Sequence, residues 1–241
     1  MCSRFSVLIS LILFSGCSLS DGESDISVFS ASFNFNDSDE GWEPGFTDLP
    51  YGDVDSTFFE LRFAHTSLPS NLGARKGIML SGNNHSDDLF MFIKRKITGF
   101  SPNTSYTLAF EVELASNAPN ESIGAGGSPG QSVYLKAGAS SIEPMRTVYN
   151  DRYELNVDKG NQSASGANAV VLGDIGIPAG STEYMLISRN NTSSGANSGD
   201  PFVVESNSAG EIWLLVGTDS GFEGITTVYY TKVNVLFSAP N

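Results

Sequence analysis

EIWLLVGTDSGFEGITTVYYTKVNVLF, residues 211–237, decides the fold class. Ile212 to Val216 is an unbroken apolar run of strand length, as in a strand buried on both faces. From Thr226 onward the pattern alternates. Tyr229, Thr231, Val233, Val235 and Phe237 share one face, and Tyr230, Lys232 and Asn234 the other. GTDSGFEG between them is turn-forming, so the stretch reads as a hairpin. Two such apolar strands are marginal alone in water, and further strands must cover them.

Working outward, the same period of two recurs. Phe29, Ala31, Phe33 and Phe35 alternate with Ser30, Ser32, Asn34 and Asn36. Tyr106, Leu108, Phe110, Val112 and Leu114 alternate with Thr107, Ala109, Glu111 and Glu113. Shorter runs at 58–64, 77–81, 89–97, 132–137, 153–157, 169–174 and 184–188 also read as strands. Past residue 17 no helical apolar period persists for ten residues. About ten or eleven short strands separated by turn signals predict an all-β, antiparallel β-sandwich in a single domain. The long polar loops at 117–130, 158–168 and 190–200 are the natural carriers of function.

The first residues are of another kind. Arg4 precedes an apolar run, 5–14, too short to span a bilayer. Phe14-Ser15-Gly16-Cys17 follows and resembles the lipobox of bacterial lipoproteins, whose signal is cut before a lipid-bearing Cys. The resemblance implies a signal peptide at 1–16, a lipidated Cys17 with a polar spacer to 28, and a β domain at 29–241. It also implies export and a lipid anchor in the outer membrane or at the cell surface. The alternative is an ordinary signal peptide with an incidental Cys. Cys2 and Cys17 are the chain's only cysteines, so the domain beyond them has no disulfide and no thiol chemistry. A net charge of −14 repels phosphate backbones and argues against nucleic-acid binding.

Three stretches carry a further resemblance: FNFNDSDEGW, GFSPNTSYTLAFEV and TTVYYTKVNVLF. Together they resemble jelly-roll carbohydrate-binding modules of secreted bacterial enzymes. That likeness implies a jelly-roll-like sandwich, a glycan partner and no catalysis. Where the family's last strand often carries a calcium-binding Asp, this chain has Thr231.

Candidate ligand residues follow from chemistry. Trp42 stands at a strand–loop junction, and Tyr230 lies opposite the apolar side of its strand; exposed rings of this kind stack on sugar faces, and core packing is the competing role. Asp37 and Asp39 place oxygens at alternate positions before Gly41, as calcium loops do. Asp219 and Glu223 would complete such a site if first and last strands were neighbours. An acidic turn satisfied by its own backbone is the alternative. His85, among Asn83, Asn84, Asp87 and Asp88, invites an acid–base reading, but no nucleophile motif accompanies it. GAGGSPG lacks the Lys and the βαβ setting of a phosphate loop. The leading expectation is a non-catalytic surface lipoprotein that binds glycan. A polysaccharide-active hydrolase or lyase, and an adhesive or structural surface protein, are the alternatives.

Overall fold

The computed structural model describes residues 27–52, 57–85, 87–192 and 201–239. The lipobox, Cys17 and the spacer lie outside the described residues. Fifteen strands are present among those described: β1 (Ser27–Asn34), β2 (Glu43–Thr47), β3 (Leu49–Pro50), β4 (Arg62–Ser67), β5 (Lys76–Asn83), β6 (Leu89–Thr98), β7 (Ser105–Ser116), β8 (Val133–Ser140), β9 (Arg146–Tyr149), β10 (Arg152–Leu155), β11 (Ala169–Asp174), β12 (Met185–Asn190), β13 (Phe202–Glu205), β14 (Glu211–Ser220) and β15 (Ile225–Ala239). A single 3₁₀ turn, Ser70–Leu72, is the only helical element among them.

Two antiparallel sheets face each other. In one, β15 lies between β7 and a shared edge, where β5 covers its first half and β1 its second; β12 and β13 lie end to end on β7, and β4 pairs with β5. The other runs β11-β8-β14-β6-β2. The core between them takes Phe35, Ile78, Phe110, Val112, Leu135, Leu214, Val216, Val233 and Val235, all buried. The all-β antiparallel sandwich expected from the alternating runs is thus the fold, with first and last strands paired as in a jelly roll.

The opening stretch behaves differently from a hairpin. β14 belongs to one sheet and β15 to the other, so the turn between them is an arch across the core. An apolar run explains this: a strand with hydrophobic side chains on both faces needs neighbours in a sheet and cover above and below. β14 is the centre of its sheet. Ile212, Leu214 and Val216 enter the main core, and Leu215 packs outward with Phe90, Phe92 and Ala169.

The face assignment along β15 also changes. Its register against β7 shifts between Tyr230 and Lys232, which marks a bulge at Thr231. An extra residue reverses the sense of alternation, so Val228 and Tyr230 point inward before it and Val233, Val235 and Phe237 after it. The bulged Thr231 is buried and donates its hydroxyl to Glu113 Oε1 at 2.7 Å. Burial opposes the ionised form of Glu113, yet this bond and the one from Arg75 hold its carboxyl below the usual range.

A third, small sheet, β3-β10-β9, stands outside the sandwich. Leu155 of β10 packs on the outward cluster of Phe90, Phe92, Ala169 and Leu215. Loop 157–168 continues from that sheet and lies over Lys136 and Asp219 on the outer face. β2, β3, β9 and β13 were not read from the sequence: Pro44 and Pro50 interrupt β2 and β3, β9 is exposed throughout, and β13 alternates over only four residues.

Candidate functional site: a buried charge cluster beneath a polar pocket

The outer face of the five-stranded sheet carries charges where its neighbours carry Phe and Leu. Asp219 on β14 and Lys136 on β8 are both fully buried, with Lys136 Nζ 2.8 Å from Asp219 Oδ2. Lys136 stands opposite Gly217, one diagonal step from Asp219. Gly217 is glycine for a steric reason, since a Cβ there would lie 2.6 Å from the Met91 carbonyl oxygen and 2.9 Å from the Phe90 ring. The remaining donors of Lys136 are taken by the carbonyls of Lys159 at 2.9 Å and Ala164 at 3.0 Å.

Loop 157–168 is shaped by its own polar residues. Asp158 accepts from the amides of Gly160 and Ala167, each at 2.9 Å, and these bonds, Ala167 foremost, hold its carboxyl below the usual range. Asn168 returns a bond to the Asp158 carbonyl at 2.7 Å. Gly160 turns at φ +70°, with the Ala164 carbonyl too close for any side chain. The turn drives Lys159 down toward the sheet. Its ammonium lies 2.8 Å from Asp48 Oδ2 and 2.8 Å from Asp219 Oδ2, and 5.1 Å from the centre of the Phe90 ring. The Gln162 amide adds a bond to Asp219 Oδ2 at 2.9 Å.

Asp48 sits between β2 and β3 at φ +65°, a conformation Asp tolerates better than most residues. Its amide donates to the Tyr153 carbonyl at 2.6 Å, and Arg152 donates back to its carbonyl at 2.7 Å. Asp88 enters from the start of β6. Carboxylate oxygens of Asp48, Asp88 and Asp219 lie within 4.8 Å of one another. Above them opens a pocket of about 430 Å³, lined by Asp48, Asp88, Arg152, Glu154, Asp158 and Asn161 among others.

The crowding sets the titration. Burial raises the Asp48 carboxyl against the pull of Lys159. Burial, then the charge of Asp48 and next the cation Lys159 in opposition, leave Asp88 pushed up to about 7, with Asp219 raising it further and Arg152 opposing. Burial lowers Lys136 more than Asp219 restores it. For Lys159 burial acts downward too, but Asp219 and Asp48 outweigh it and its ammonium is held above the usual range.

The residues expected from sequence fall elsewhere, with one exception. Trp42 is 2 % exposed, edge-on to Phe33 and Phe35, and Tyr230 is 0 % exposed. Both rings are core, so neither presents a face to a sugar; the bulge at Thr231 is what turns Tyr230 inward. Asp37, Asp39, Asp219 and Glu223 are not gathered into one group among the described residues. Asp39 bonds its own turn at Gly41, Glu223 is exposed beside Ala125, and Asp219 lies in the buried cluster. The three carboxylates that do converge have ammoniums already seated on two of them, a poor match to calcium's demand for six to eight oxygens. His85 lies against the exposed Phe58 ring, tilted by 35° with ring centres 4.5 Å apart. Trp213, within the apolar run 212–216, lies half-buried on the outer face with Lys94 Nζ 5.4 Å from the ring centre. Lys136, Lys159 and Asp48 were not singled out. Asp219, read as part of the turn GTDSGFEG, and the Asp-Lys-Gly turn at 158–160 were the signals the sequence offered.

No protein-family model matches the chain, and no curated protein matches its sequence. Among solved structures the chain is similar to the mannan-recognising module TmCBM27, at 11 % identity and a TM-score of 0.36, over 88 % of this chain and 98 % of that one. It is similar to the CBM22-1 xylan-binding domain of Paenibacillus barcinonensis Xyn10C, at 10 % identity and a TM-score of 0.36, over 92 % of this chain and 99 % of that one. A third similarity, at 16 % identity and a TM-score of 0.30, is to the enzymatically active domain of bacteriophage CBA120 tailspike protein 4. It covers 78 % of this chain and 19 % of the tailspike chain.

Proposed function

We propose that the chain is a non-catalytic, glycan-binding domain of an exported lipoprotein. The observation that carries the binding reading is the 430 Å³ pocket, whose lining of carboxylates, amides and a guanidinium suits a ligand dense in hydroxyls. Sugar hydroxyls donate to Glu154 and Asp158 and accept from Arg152 and Asn161. Asp88, titrating near neutrality, has the property of a general acid. Its nearest carboxylate partners are committed, however: Asp48 and Asp219 are buried and ion-paired to Lys159, which leaves neither available to attack a substrate. This commitment supports the reading of binding without cleavage.

Glu154 and Asn161 face the pocket without anchoring the fold. The double substitution Glu154→Ala, Asn161→Ala is expected to weaken glycan binding about thirtyfold, from two hydrogen bonds of roughly 1 kcal/mol each. The melting temperature stays near wild type. Affinity electrophoresis of the full chain against mannan, xylan and galactan measures it. Unchanged mobility of the double variant on a polysaccharide that retards wild type would remove the pocket from the reading, and release of reducing sugar would replace binding by hydrolysis.

The anchor rests on Phe14-Ser15-Gly16-Cys17. One acyl chain holds a protein only marginally at a membrane, whereas the several chains that lipoproteins resembling this one carry hold firmly. Cys17→Ala is expected to shift the protein from the membrane pellet to the soluble fraction. Membrane fractionation identical to wild type would refute lipidation at this Cys. Among the described residues no helix is long and apolar enough to cross a membrane.

A further inference from the structure

We propose that Lys136 and Asp219 join covalently after folding, as an amide between Lys136 Nζ and Asp219 Cγ that ties β8 to β14. Both side chains are wholly buried, and they touch at 2.8 Å. Their strands are hydrogen-bonded neighbours in the five-stranded sheet, so the approach is fixed by the register and not by a mobile loop. Two groups held this way react as if at very high concentration. The ion pair precedes the amide and sets the stability of the unlinked chain.

The surroundings supply a nucleophile, an activated carbonyl and a proton carrier. Burial lowers the Lys136 ammonium more than Asp219 restores it, and the Lys159 charge pushes the same way as burial. A neutral amine keeps two hydrogens. The carbonyls of Lys159 at 2.9 Å and Ala164 at 3.0 Å accept them, which leaves the lone pair for Asp219. Lys159 is the poorer nucleophile: burial acts downward on it too, but Asp219 and Asp48 hold its ammonium above the usual range. Its place is at Asp219 Oδ2, where Lys159 Nζ donates at 2.8 Å and the Gln162 amide at 2.9 Å. These two donors stand where negative charge grows as Cγ becomes tetrahedral. Asp219 Oδ1 has no hydrogen-bond partner among the described residues and is the oxygen free to leave. Asp88, pushed up to about 7 by burial foremost, both takes and gives a proton near neutrality. Its carboxyl oxygen lies within 4.8 Å of one on Asp219, the span of a single bridging water.

The step balances without an outside reagent. The Lys136 ammonium gives one proton to Asp88, which passes it to Asp219 Oδ1. The lone pair of Nζ attacks Cγ, and the C=O electron pair moves onto Oδ2. Nζ then gives up a second proton by the same route. The Cγ–Oδ1 bond breaks, Oδ1 departs with both protons as water, and the pair on Oδ2 re-forms the carbonyl. Asp88 is returned unchanged, and the water has a way out through the pocket that Asp88 lines.

The test is tryptic peptide mapping of the full-length protein by mass spectrometry. An acylated Lys136 is no longer cut. A branched peptide joining 97–146 to 190–232 is therefore expected, lighter than its two parts by one water, about 18 Da. Lys136→Arg abolishes the branch. Asp88→Asn, which keeps the shape but cannot accept the proton, is expected to lower the linked fraction tenfold or more, the low side of what a positioned acid–base group contributes. The wild-type map decides by itself, so the test stands even if a variant fails to fold. Complete cleavage after Lys136, with 190–232 at its full mass, overturns the inference. A branch carried by Lys159 overturns the choice of nucleophile, and an undiminished link in Asp88→Asn overturns the proton carrier.

Discussion

Asp219→Ala is expected to destabilise the folded protein by about 3–5 kcal/mol, the loss seen when one partner of a buried ion pair is removed. The reason is local. Asp219 Oδ2 takes Lys136 and Lys159, each at 2.8 Å, and Lys136 has no solvent-facing surface at all. Without the carboxylate, Lys136 keeps only two carbonyls to solvate a full charge and is driven toward its neutral form. In a domain of this size the loss lowers the melting temperature by roughly 10–15 °C. The partner experiment separates charge from shape. Asp219→Leu combined with Lys136→Met removes both ions of the inner pair and leaves Lys159 with Asp48, so most of the stability is expected to return. Thermal and urea melts of the three proteins decide it. A loss below about 1 kcal/mol in Asp219→Ala would mean that water reaches Lys136 and that the cluster is not dry.

Trp42→Ala is the second large effect, again about 3–5 kcal/mol, this time from a cavity and not from a charge. Trp42 stands after the acidic turn that leaves β1 and closes the sandwich over Phe33 and Phe35, its ring edge-on to theirs at 5.3 and 6.1 Å. Removing it uncovers apolar surface and forfeits two aromatic contacts. The urea midpoint should fall with little change in slope, because the change lies in the native core. Glycan affinity, corrected for the folded fraction, is expected to stay at the wild-type value, since the ring is 2 % exposed. A stable Trp42→Ala protein with weakened sugar binding would restore the ring to a ligand site and contradict the burial.

The contrast between these residues shows where the sequence was informative. Alternation along 29–36 and 105–114 identified β1 and β7, because a half-buried strand must write its two faces into its residues. The double-sided apolar run at Ile212–Val216 announced a central strand for the same reason. From such runs follow the all-β class, the antiparallel sandwich and the single domain. The leader with Cys17 is a reading of residue order alone and lies outside the described residues.

Tertiary structure decided the rest. Whether β14 and β15 pair or arch apart depends on which neighbours each finds, and both outcomes fit the same turn. One inserted residue at Thr231 reverses the faces of Tyr229 and Tyr230, and nothing in a period-two pattern marks where a bulge will fall. The candidate site is the extreme case. Asp48, Asp88, Lys136, Lys159 and Asp219 come from five separate segments, spread across 172 positions of chain (219 − 48 + 1). Each alone is an ordinary charged residue in a strand or polar loop. Only the closing of loop 157–168 over the sheet removes water from them, and desolvation together with 2.8 Å contacts turns five scattered charges into one coupled group.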